Sequence, residues 1–393
     1  MTDDTSRVPK LRFPGFAGAW EQRKLSQVTK ITMGQSPLGT NYTNNPNDHI
    51  LVQGNADMKD GHVVPRVWTK QVTKKAEAGE LILSVRAPVG DVGVTDFPVV
   101  LGRGVAGIQG NAFIFQLLSK MKIDNYWIKF SSGSTFESIN SKDVKNAEVC
   151  VPTNAEQDSI GKFFGHLDET IALHQRKLSH LRQLKKGLLQ KMFPKSGEDR
   201  PEVRFPGFVD AWEQRKLDGY LDEYTEKTTS EDQYPVLTSS QQQGIVFQTD
   251  YFANRQVTTS ENIGYYVLPR GYFTYRSRSD NGIFKFNRND LIDFGIISYF
   301  YPVFKIDNGD SNFFMQILNH SIIRQVDLES VGTGQRVLSM KKLRNIRTRI
   351  PSLDEQKKIG SLFSHLNNTI ALHQRKLSHL QQQKKALLQQ MFV

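Results

Sequence analysis

The sequence contains an internal duplication, and this duplication constrains its fold more than any other feature. The segment Arg12–Leu25 returns almost unchanged at Arg204–Leu217, and Thr170–Leu181 returns letter for letter at Thr369–Leu380. Around the second marker, the two constant ends match at about two thirds of their positions, far beyond chance for segments of this length. We therefore expect two copies of one structural unit.

The middles of the two copies, 26–145 and 218–344, are not copies of each other. They share only scattered echoes, which are Gly79–Arg86 with Gly271–Arg278 and Gly133–Val144 with Gly332–Leu343. Constant ends and divergent middles indicate one fold with different surface residues. Such a chain performs one physical task on two different targets.

The constant ends predict two long helices. Alternating steps of four and three residues along each end select mostly apolar positions, the 3.5-residue seam of a coiled coil. The seam residues are Ile160, Phe164, Leu167, Ile171, His174, Leu178, Leu181 and Leu188 in the first helix and Ile359, Phe363, Leu366, Ile370, His373, Leu377, Leu380 and Leu387 in the second.

A helix of about 38 residues is about 57 Å long, and its narrow apolar stripe needs a partner. The matching helix of the same chain is the nearest one, so we expect an antiparallel pair with pseudo-two-fold symmetry. Pairing between two molecules, giving a homodimer, is the alternative.

Two seam positions are histidines, His174 and His373. A pH sensor or a metal ligand is one interpretation, but no second ligand type stands at metal-binding spacing around them. A polar residue in a seam more often fixes register and strand number, and we favour that structural role.

The divergent middles are rich in short β-branched or aromatic runs separated by glycine, asparagine, aspartate and proline. Predicted strands include Leu81–Val85, Phe113–Leu117 and Tyr272–Tyr275. The expected fold class is α/β (α+β), with two mixed strand-and-helix domains separated by the long antiparallel helices. The predicted division is a first domain over 1–150, a long helix over 151–193, a linker over 194–203, a second domain over 204–349 and a second long helix over 350–393.

The charge balance favours a polyanionic partner. The 393 residues hold 51 Lys and Arg against 40 Asp and Glu, a formal net charge of +11. Neutralised phosphates release counterions, so nucleic acid suits such a chain, although the same excess can serve solubility alone.

The single cysteine excludes an intramolecular disulfide framework. The first residues lack the apolar stretch of a secretory signal, and no run reaches the roughly 20 apolar residues of a membrane span. We expect a cytoplasmic protein without membrane contact.

Candidate DNA contacts follow from side-chain chemistry. Arginine binds guanine bidentately and asparagine or glutamine binds adenine in the major groove, whereas Lys341 and Lys342 suit phosphates better. The candidates in the first middle are Ser84, Arg86, Arg103, Ser134 and Thr135, and those in the second are Arg270, Arg276, Ser277, Arg278, Asn281, Thr333, Gln335, Arg336, Lys341 and Lys342.

Catalytic motifs are missing from the sequence. It contains no adenine-methyltransferase motif, since Asn44–Asn47 (NNPN) lacks the second proline and the aromatic residue. It also contains no phosphate-binding G-x-x-x-x-G-K-[ST] loop and no spaced cluster of metal ligands. We predict no catalytic residues, no metal site and no cofactor.

The repeated pattern P-x-x-x-E-Q-x-x-I-x-x-F before a long helix resembles the specificity subunits of type I restriction–modification enzymes. It stands here as Pro152, Glu156, Gln157, Ile160 and Phe163–Phe164, and again as Pro351, Glu355, Gln356, Ile359 and Phe363. The resemblance covers essentially the whole chain. It implies that the middles are target recognition domains, each reading one half of a bipartite site in double-stranded DNA.

The same resemblance implies partner proteins. The helices would be spacers that dock methyltransferase subunits, expected in two copies, and restriction/translocase subunits would then join. S-adenosylmethionine, ATP and Mg are expected on those partners only. A stand-alone DNA-binding regulator is the alternative function, distinguished by a gel shift with and without methyltransferase subunits. A coiled-coil scaffold without a DNA role is a third hypothesis, which the large arginine-bearing middles disfavour.

Overall fold

The computed structural model describes residues 7–130, 138–252, 261–332 and 334–393. The chain divides into two compact units, unit 1 within 1–177 and 373–393 and unit 2 within 178–372. Each long helix is split between the two units. Because this division differs in kind from the predicted domains, the predicted domain boundaries remain predictions.

Unit 1 contains short strands and short helices before the first long helix. Its strands are β1 Glu21–Lys24, β2 Ile31–Met33, β3 Tyr42–Thr43, β4 His49–Val52, β5 Met58–Lys59, β6 His62–Val63, β7 Trp68–Thr69, β8 Lys75–Ala76, β9 Leu81–Ser84, β10 Val92–Val94, β11 Val99–Leu101, β12 Val105–Ile108 and β13 Glu148–Val151. Its short α-helices are α1 Leu25–Val28, α2 Ala112–Ile123 and α3 Ser141–Lys145.

The strands of unit 1 form two mixed sheets and one two-stranded pair. The sheet orders are β2-β12-β9-β10-β6-β5, β3-β7-β4-β11-β8 and β1-β13. In the first sheet β9 and β12 are antiparallel, with Ser84 opposite Val105. This register places the residues after β9 beside the residues before β12 at one end of the sheet.

Unit 2 has the same kind of architecture. Its strands are β14 Glu213–Lys216, β15 Leu221–Tyr224, β16 Leu237–Ser240, β17 Gly244–Phe247, β18 Tyr266–Pro269, β19 Phe273–Tyr275, β20 Arg278–Ser279, β21 Phe286–Arg288, β22 Phe294–Ile297, β23 Val303–Ile306, β24 Arg336–Val337 and β25 Arg347–Ile350. Its short α-helices are α5 Gln248–Tyr251, α6 Ser311–Gln316, α7 Ile323–Glu329 and α8 Met340–Asn345. The central sheet has the order β15-β23-β19-β21, and β14-β25, β16-β17, β18-β22 and β20-β24 form pairs.

The long helices are α4 Asn154–Lys191 and α9 Leu353–Met391. Each starts after a proline and carries a buried glutamate in its first turn. Glu156 accepts two hydrogen bonds of 2.7 Å from Arg12, and Glu355 accepts two of 2.7 Å from Arg204. Both glutamates are almost fully buried, so each repeat ties its opening segment to its long helix by a desolvated, bidentate ion pair.

The antiparallel packing of the helices in unit 1 is shown by the end of α9. Phe392 stacks on Phe113 at 5.1 Å between ring centroids and lies 5.9 Å from both Trp20 and Phe164. Phe164 belongs to the first half of α4, so the end of one long helix packs beside the start of the other. Lys384 of α9 also donates to Asp168 of α4 at 2.6 Å.

Unit 2 repeats this aromatic cluster with the helices exchanged. Phe193, just after α4, lies 5.8 Å from Trp212, 5.8 Å from Phe313 and 6.0 Å from Phe363 of α9. Within each unit the start of one long helix therefore packs against the end of the other. The predicted antiparallel pairing inside one chain matches this arrangement.

The structure places every predicted seam residue at a buried or half-buried position, as illustrated by Ile160, Phe164 and Phe363. The off-seam leucines Leu173 and Leu372 are instead more than half exposed. An apolar residue on these helices is thus covered when it lies on the 3.5-residue stripe.

The two seam histidines meet across the helix pair. Nδ1 of His174 lies 2.9 Å from Nδ1 of His373, so one imidazole donates and the other accepts. Burial, aided by the nearby charges of Lys376, His373 and Lys177, lowers the pKa of His174. Within the described part of the chain, no three His, Cys, Asp or Glu side chains cluster as a metal site would need. The contact between the rings fits the register role.

One predicted strand was wrong. Phe113–Leu117 lies inside α2, whose buried residues Phe113, Leu117 and Met121 recur at helical spacing. Asn111 caps this helix by accepting from the Ile114 amide at 3.0 Å. A short apolar run is compatible with either structure, and here the cap and the helical period select the helix.

None of the described helices combines the length and apolar character needed to cross a membrane.

Candidate nucleic-acid interface

The candidate interface of unit 2 is built around the residues that follow β19. Tyr275, the last residue of that strand, donates from Oη to the carbonyl of Leu338 at 3.0 Å, and burial raises its pKa. The Leu338 amide donates to the Ser277 carbonyl at 2.9 Å. The segment before Leu338 is therefore held against the arginine-bearing segment 276–278.

Strands β20 and β24 continue this contact. Arg278 is opposite Val337 and Ser279 is opposite Arg336. The Arg278 guanidinium lies 4.9 Å from the centre of the Phe300 ring, and it is exposed. The two segments of unit 2 that begin at Gly271 and Gly332, and that have similar counterparts in unit 1, thus contact each other.

Unit 1 repeats this meeting of segments. Arg86, just after β9, forms a bridge with Ser138, and the Ile139 amide donates to the Val85 carbonyl at 3.0 Å. The Val85 amide in turn donates to the Gly104 carbonyl at 2.9 Å. Both units therefore bring the end of a central strand next to the same late segment of the domain.

Arg103 joins Arg86 at this end of the sheet because it precedes β12. It lies between Gly102 and Gly104, where the backbone is crowded. A Cβ atom on Gly104 would lie 2.0 Å from the carbonyl oxygen of Gln53, so only glycine fits there. Both arginines are exposed, and neither guanidinium pairs with an acidic side chain of the described residues. The two neighbouring strand ends therefore carry two exposed arginines.

The structure contradicts the prediction that Ser84 contacts DNA. It is fully buried in β9, and its hydroxyl donates to the Arg86 carbonyl at 2.8 Å. A serine in this position supports the turn that carries Arg86 and does not reach a base.

Arg270 lies apart from the other candidates, and its contact with DNA stays a prediction. It precedes β19, at the strand end opposite Arg276. Its guanidinium donates to Asp293 at 2.8 Å and to the carbonyl of Asp290 at 2.8 Å. Arg270 therefore closes a loop away from the other candidates.

Two more cations are occupied by structural contacts. Arg336 pairs with Asp327 at 2.9 Å and donates to the Ser330 carbonyl at 3.2 Å. Lys342 donates to the Glu329 carbonyl at 2.7 Å, at the end of α7, where a cation is favoured. These contacts fix the loop after α7, which weakens the prediction that either side chain binds DNA.

The remaining candidates differ in their surroundings. The Ser277 hydroxyl donates to the Phe300 carbonyl at 2.7 Å, and Asn281 accepts from the Ile283 amide at 3.1 Å in a tight turn. Gln335 and Lys341 are exposed. Ser134, Thr135 and Thr333 lie outside the described residues. The structure thus groups Arg86 with Arg103 in unit 1, and Arg276 and Arg278 with Gln335 in unit 2.

Sequence reasoning missed three residues of the unit 2 surface, Asp280, Tyr299 and Phe300. Asp280 stands two residues after Arg278, so its position in the chain was a usable signal. The two aromatics come from a distant turn, and only the fold brings the Phe300 ring to Arg278, with Tyr299 packed on Phe300. The Ser277 amide donates to the Phe300 carbonyl at 2.9 Å, which is the contact that Val85 makes with Gly104 in unit 1.

These features define a class of protein in which one exposed surface is built twice, with the same backbone contacts and different side chains, on a repeated helical scaffold. The chain belongs to the family described as type I restriction modification DNA specificity domain, whose sequence model matches it twice, over 18–183 and 216–382. The resemblance proposed from the sequence is confirmed. The chain carries two copies of this specificity domain.

Two relatives come from Methanocaldococcus jannaschii. The putative type I restriction enzyme MjaX specificity subunit is 30% identical over 178 residues, which cover 43% of this chain and 41% of that protein. The MjaVIII specificity subunit is 21% identical over 345 residues, 80% of this chain and 75% of that protein. The first match spans about two fifths of its relative's length.

A solved structure shares the fold. The type I restriction–modification S subunit from M. genitalium superposes with a TM-score of 0.69 at 15% identity, over 98% of this chain and 99% of that one. The predicted fold class, two mixed α/β domains with two long antiparallel helices, is confirmed.

Proposed function

We propose that this chain reads a bipartite site in double-stranded DNA, with unit 1 contacting one half-site and unit 2 the other. The observation that carries the proposal is the repeated meeting of segments, Arg86 with Ser138 and Arg278 with Val337. The same backbone contacts present different side chains in the two units. A surface that keeps its frame and changes its residues is what two different half-sites require.

The chemistry of these side chains suits base recognition. Arg86, Arg103, Arg276 and Arg278 carry guanidinium groups that match the O6 and N7 acceptors of guanine in the major groove. Gln335 carries the amide that suits adenine. The formal charge of +11 supplies the non-specific attraction to phosphates.

The long helices would set the spacing between the half-sites and dock the partner subunits. Two methyltransferase subunits and then restriction/translocase subunits would join, carrying S-adenosylmethionine, ATP and Mg. The chain itself would bind none of these and perform no chemistry. Its contribution is to choose where the partners act.

The test of the proposal is the methylated motif in a host that carries the chain with its methyltransferase subunits. Replacing Arg86 and Arg103 with alanine should make the first half-site degenerate, and replacing Arg276 and Arg278 should do so for the second half-site only. Each lost bidentate contact costs about 1–3 kcal/mol of discrimination. Double variants that leave both half-sites unchanged would refute the proposed surface.

A second experiment tests the spacer. Inserting one heptad at matching positions within Ile171–Leu188 and its repeat adds about 10.5 Å to each helix. Since DNA rises 3.4 Å per base pair, the non-specific spacer should lengthen by about three base pairs with both half-sites unchanged. An unchanged spacer would show that the helices do not set it.

A further inference from the structure

The carboxylate of Asp280 lies among the cations of the unit 2 surface. Asp280 accepts a hydrogen bond of 2.7 Å from Nε2 of Gln335, and its other oxygen lies 3.6 Å from Nη1 of Arg276. Arg276 and Gln335 come from different segments of the chain. One aspartate therefore joins the two side chains best suited to read bases.

Stability does not explain this carboxylate. Its side chain is 65% exposed and that of Arg276 is 54% exposed, and exposed ion pairs contribute little to folding. A carboxylate on a surface that meets phosphates also repels them. Asp280 thus weakens general attraction to DNA and adds little to the fold.

Unit 1 has no counterpart of Asp280 at the corresponding position. Aligning the echoes Gly79–Arg86 and Gly271–Arg278 places Pro88 at the position of Asp280 and the buried Ser84 at the position of Arg276. The shared frame of the two units therefore exists without this aspartate. Its place is among the residues that distinguish the two surfaces.

The hydrogen bond to Gln335 has a chemical consequence. A glutamine amide has two hydrogens on Nε2 and an acceptor at Oε1, and it can rotate to exchange them. With one hydrogen held by Asp280, the direction of the amide is fixed. The second hydrogen and Oε1 remain for the N7 and the N6 amino group of adenine.

We infer that Asp280 is a positioning residue that determines specificity in the second half-site, by fixing Arg276 and Gln335 in one geometry. This inference rests on the proposed function of the surface. Asp280 gives up some attraction to phosphates and sharpens the choice of bases. Loss of its charge separates these two effects.

The experiment compares Asp280→Asn with Asp293→Asn in the full chain assembled with its methyltransferase subunits. Asp293 is a matched control, since it is an exposed aspartate paired with an arginine at the other end of β19. The readouts are the methylated motif, binding to random-sequence duplex DNA at low salt and the thermal unfolding midpoint. For Asp280→Asn we expect about tenfold weaker discrimination in the second half-site, in the range of one lost bidentate contact. The first half-site and the midpoint should be unchanged, and random DNA should bind equally well or better.

Variants of the partner residues separate the possible failures. If Arg276→Ala or Gln335→Ala alters the second half-site and Asp280→Asn does not, the role of Asp280 is refuted and the proposed interface stands. If all three variants keep the wild-type motif, the interface itself is misplaced. Broadening of both half-sites, or a lower midpoint for Asp280→Asn, would indicate a structural role and overturn the inference.

Discussion

The candidate interfaces of the two units share their backbone contacts and differ in their side chains. Unit 1 offers Arg86 and Arg103 from neighbouring strand ends. Unit 2 has Phe300 at the place of Gly104, with Arg278 stacked on its ring, and adds Asp280. The backbone contacts are common to the folds of both units, and the differences lie in the side chains that would contact DNA.

The scaffold shows the opposite behaviour. The buried pairs Arg12–Glu156 and Arg204–Glu355 have the same bond lengths, and each unit encloses the same four aromatic positions. The buried scaffold residues are the same in both units and the exposed strand-end residues differ. This contrast separates the residues that maintain the fold from those that would determine the recognised bases.

Truncating the terminal phenylalanines should damage the two units equally and separately. Phe392→Ala removes the ring stacked on Phe113 in unit 1, and Phe193→Ala removes the ring stacked on Phe313 in unit 2. Each should cost about 3–5 kcal/mol, as for other buried phenylalanines. Native-state hydrogen exchange, resolved by unit, measures the loss. Equal loss in both units from one substitution would contradict separate cores.

Removing the buried arginines should cost slightly less. Arg12→Met leaves Glu156 buried without a counter-charge, and Arg204→Met does the same to Glu355. We expect about 3 kcal/mol in each case, measured by the same exchange experiment. Arg23→Met is the control, because its pair with Glu21 is exposed and should be worth about 0–1 kcal/mol. A comparable loss in the control would show that burial is not the cause.

Replacing Lys341 should weaken DNA binding without changing the motif. Lys341 is exposed in α8 and suits a phosphate. Lys341→Ala should reduce the slope of the logarithm of affinity against the logarithm of salt concentration by about one. Titrations at several salt concentrations measure the slope. A changed half-site with an unchanged slope would instead make Lys341 a base contact.

The smallest predicted effect concerns pH. Burial lowers the pKa of His174 in unit 1 below its ordinary value near 6.5, so the unfolded chain takes up a proton first as pH falls. His174 should therefore reduce stability as pH drops from about 6.5 towards its folded pKa, and have no such effect above about 7.5. Comparing unfolding midpoints at pH 7.5 and 5.5 should show a smaller acid loss in His174→Gln. Equal losses in both proteins would show that His174 does not titrate in this way.

The scaffold was predictable because its signals are local and repeated. The predicted helices over 151–193 and 350–393 correspond to Asn154–Lys191 and Leu353–Met391, since a heptad stripe needs no knowledge of the rest of the fold. The run Phe113–Leu117 was misread because a few apolar residues do not distinguish a strand from a helix.

The candidate site was predictable only in part. The paired echoes marked segments common to both units, but they predicted neither that these segments meet nor which of their side chains are exposed. Ser84 is buried because both faces of β9 are covered, and Arg270 is remote because a whole strand separates it from Arg276. These outcomes depend on sheet register and strand ends, which no local pattern specifies.

The most direct test replaces the divergent middle of unit 1 with that of unit 2. Residues 26–145 would be replaced by a second copy of 218–344, with both long helices kept, and the methylated motif would be determined in a host carrying the methyltransferase subunits. If each unit reads its own half-site, the motif should be bipartite, contain the second half-site twice and show no trace of the first. Retention of the original first half-site, or loss of sequence preference in both halves, would contradict the claim that each unit reads its own half.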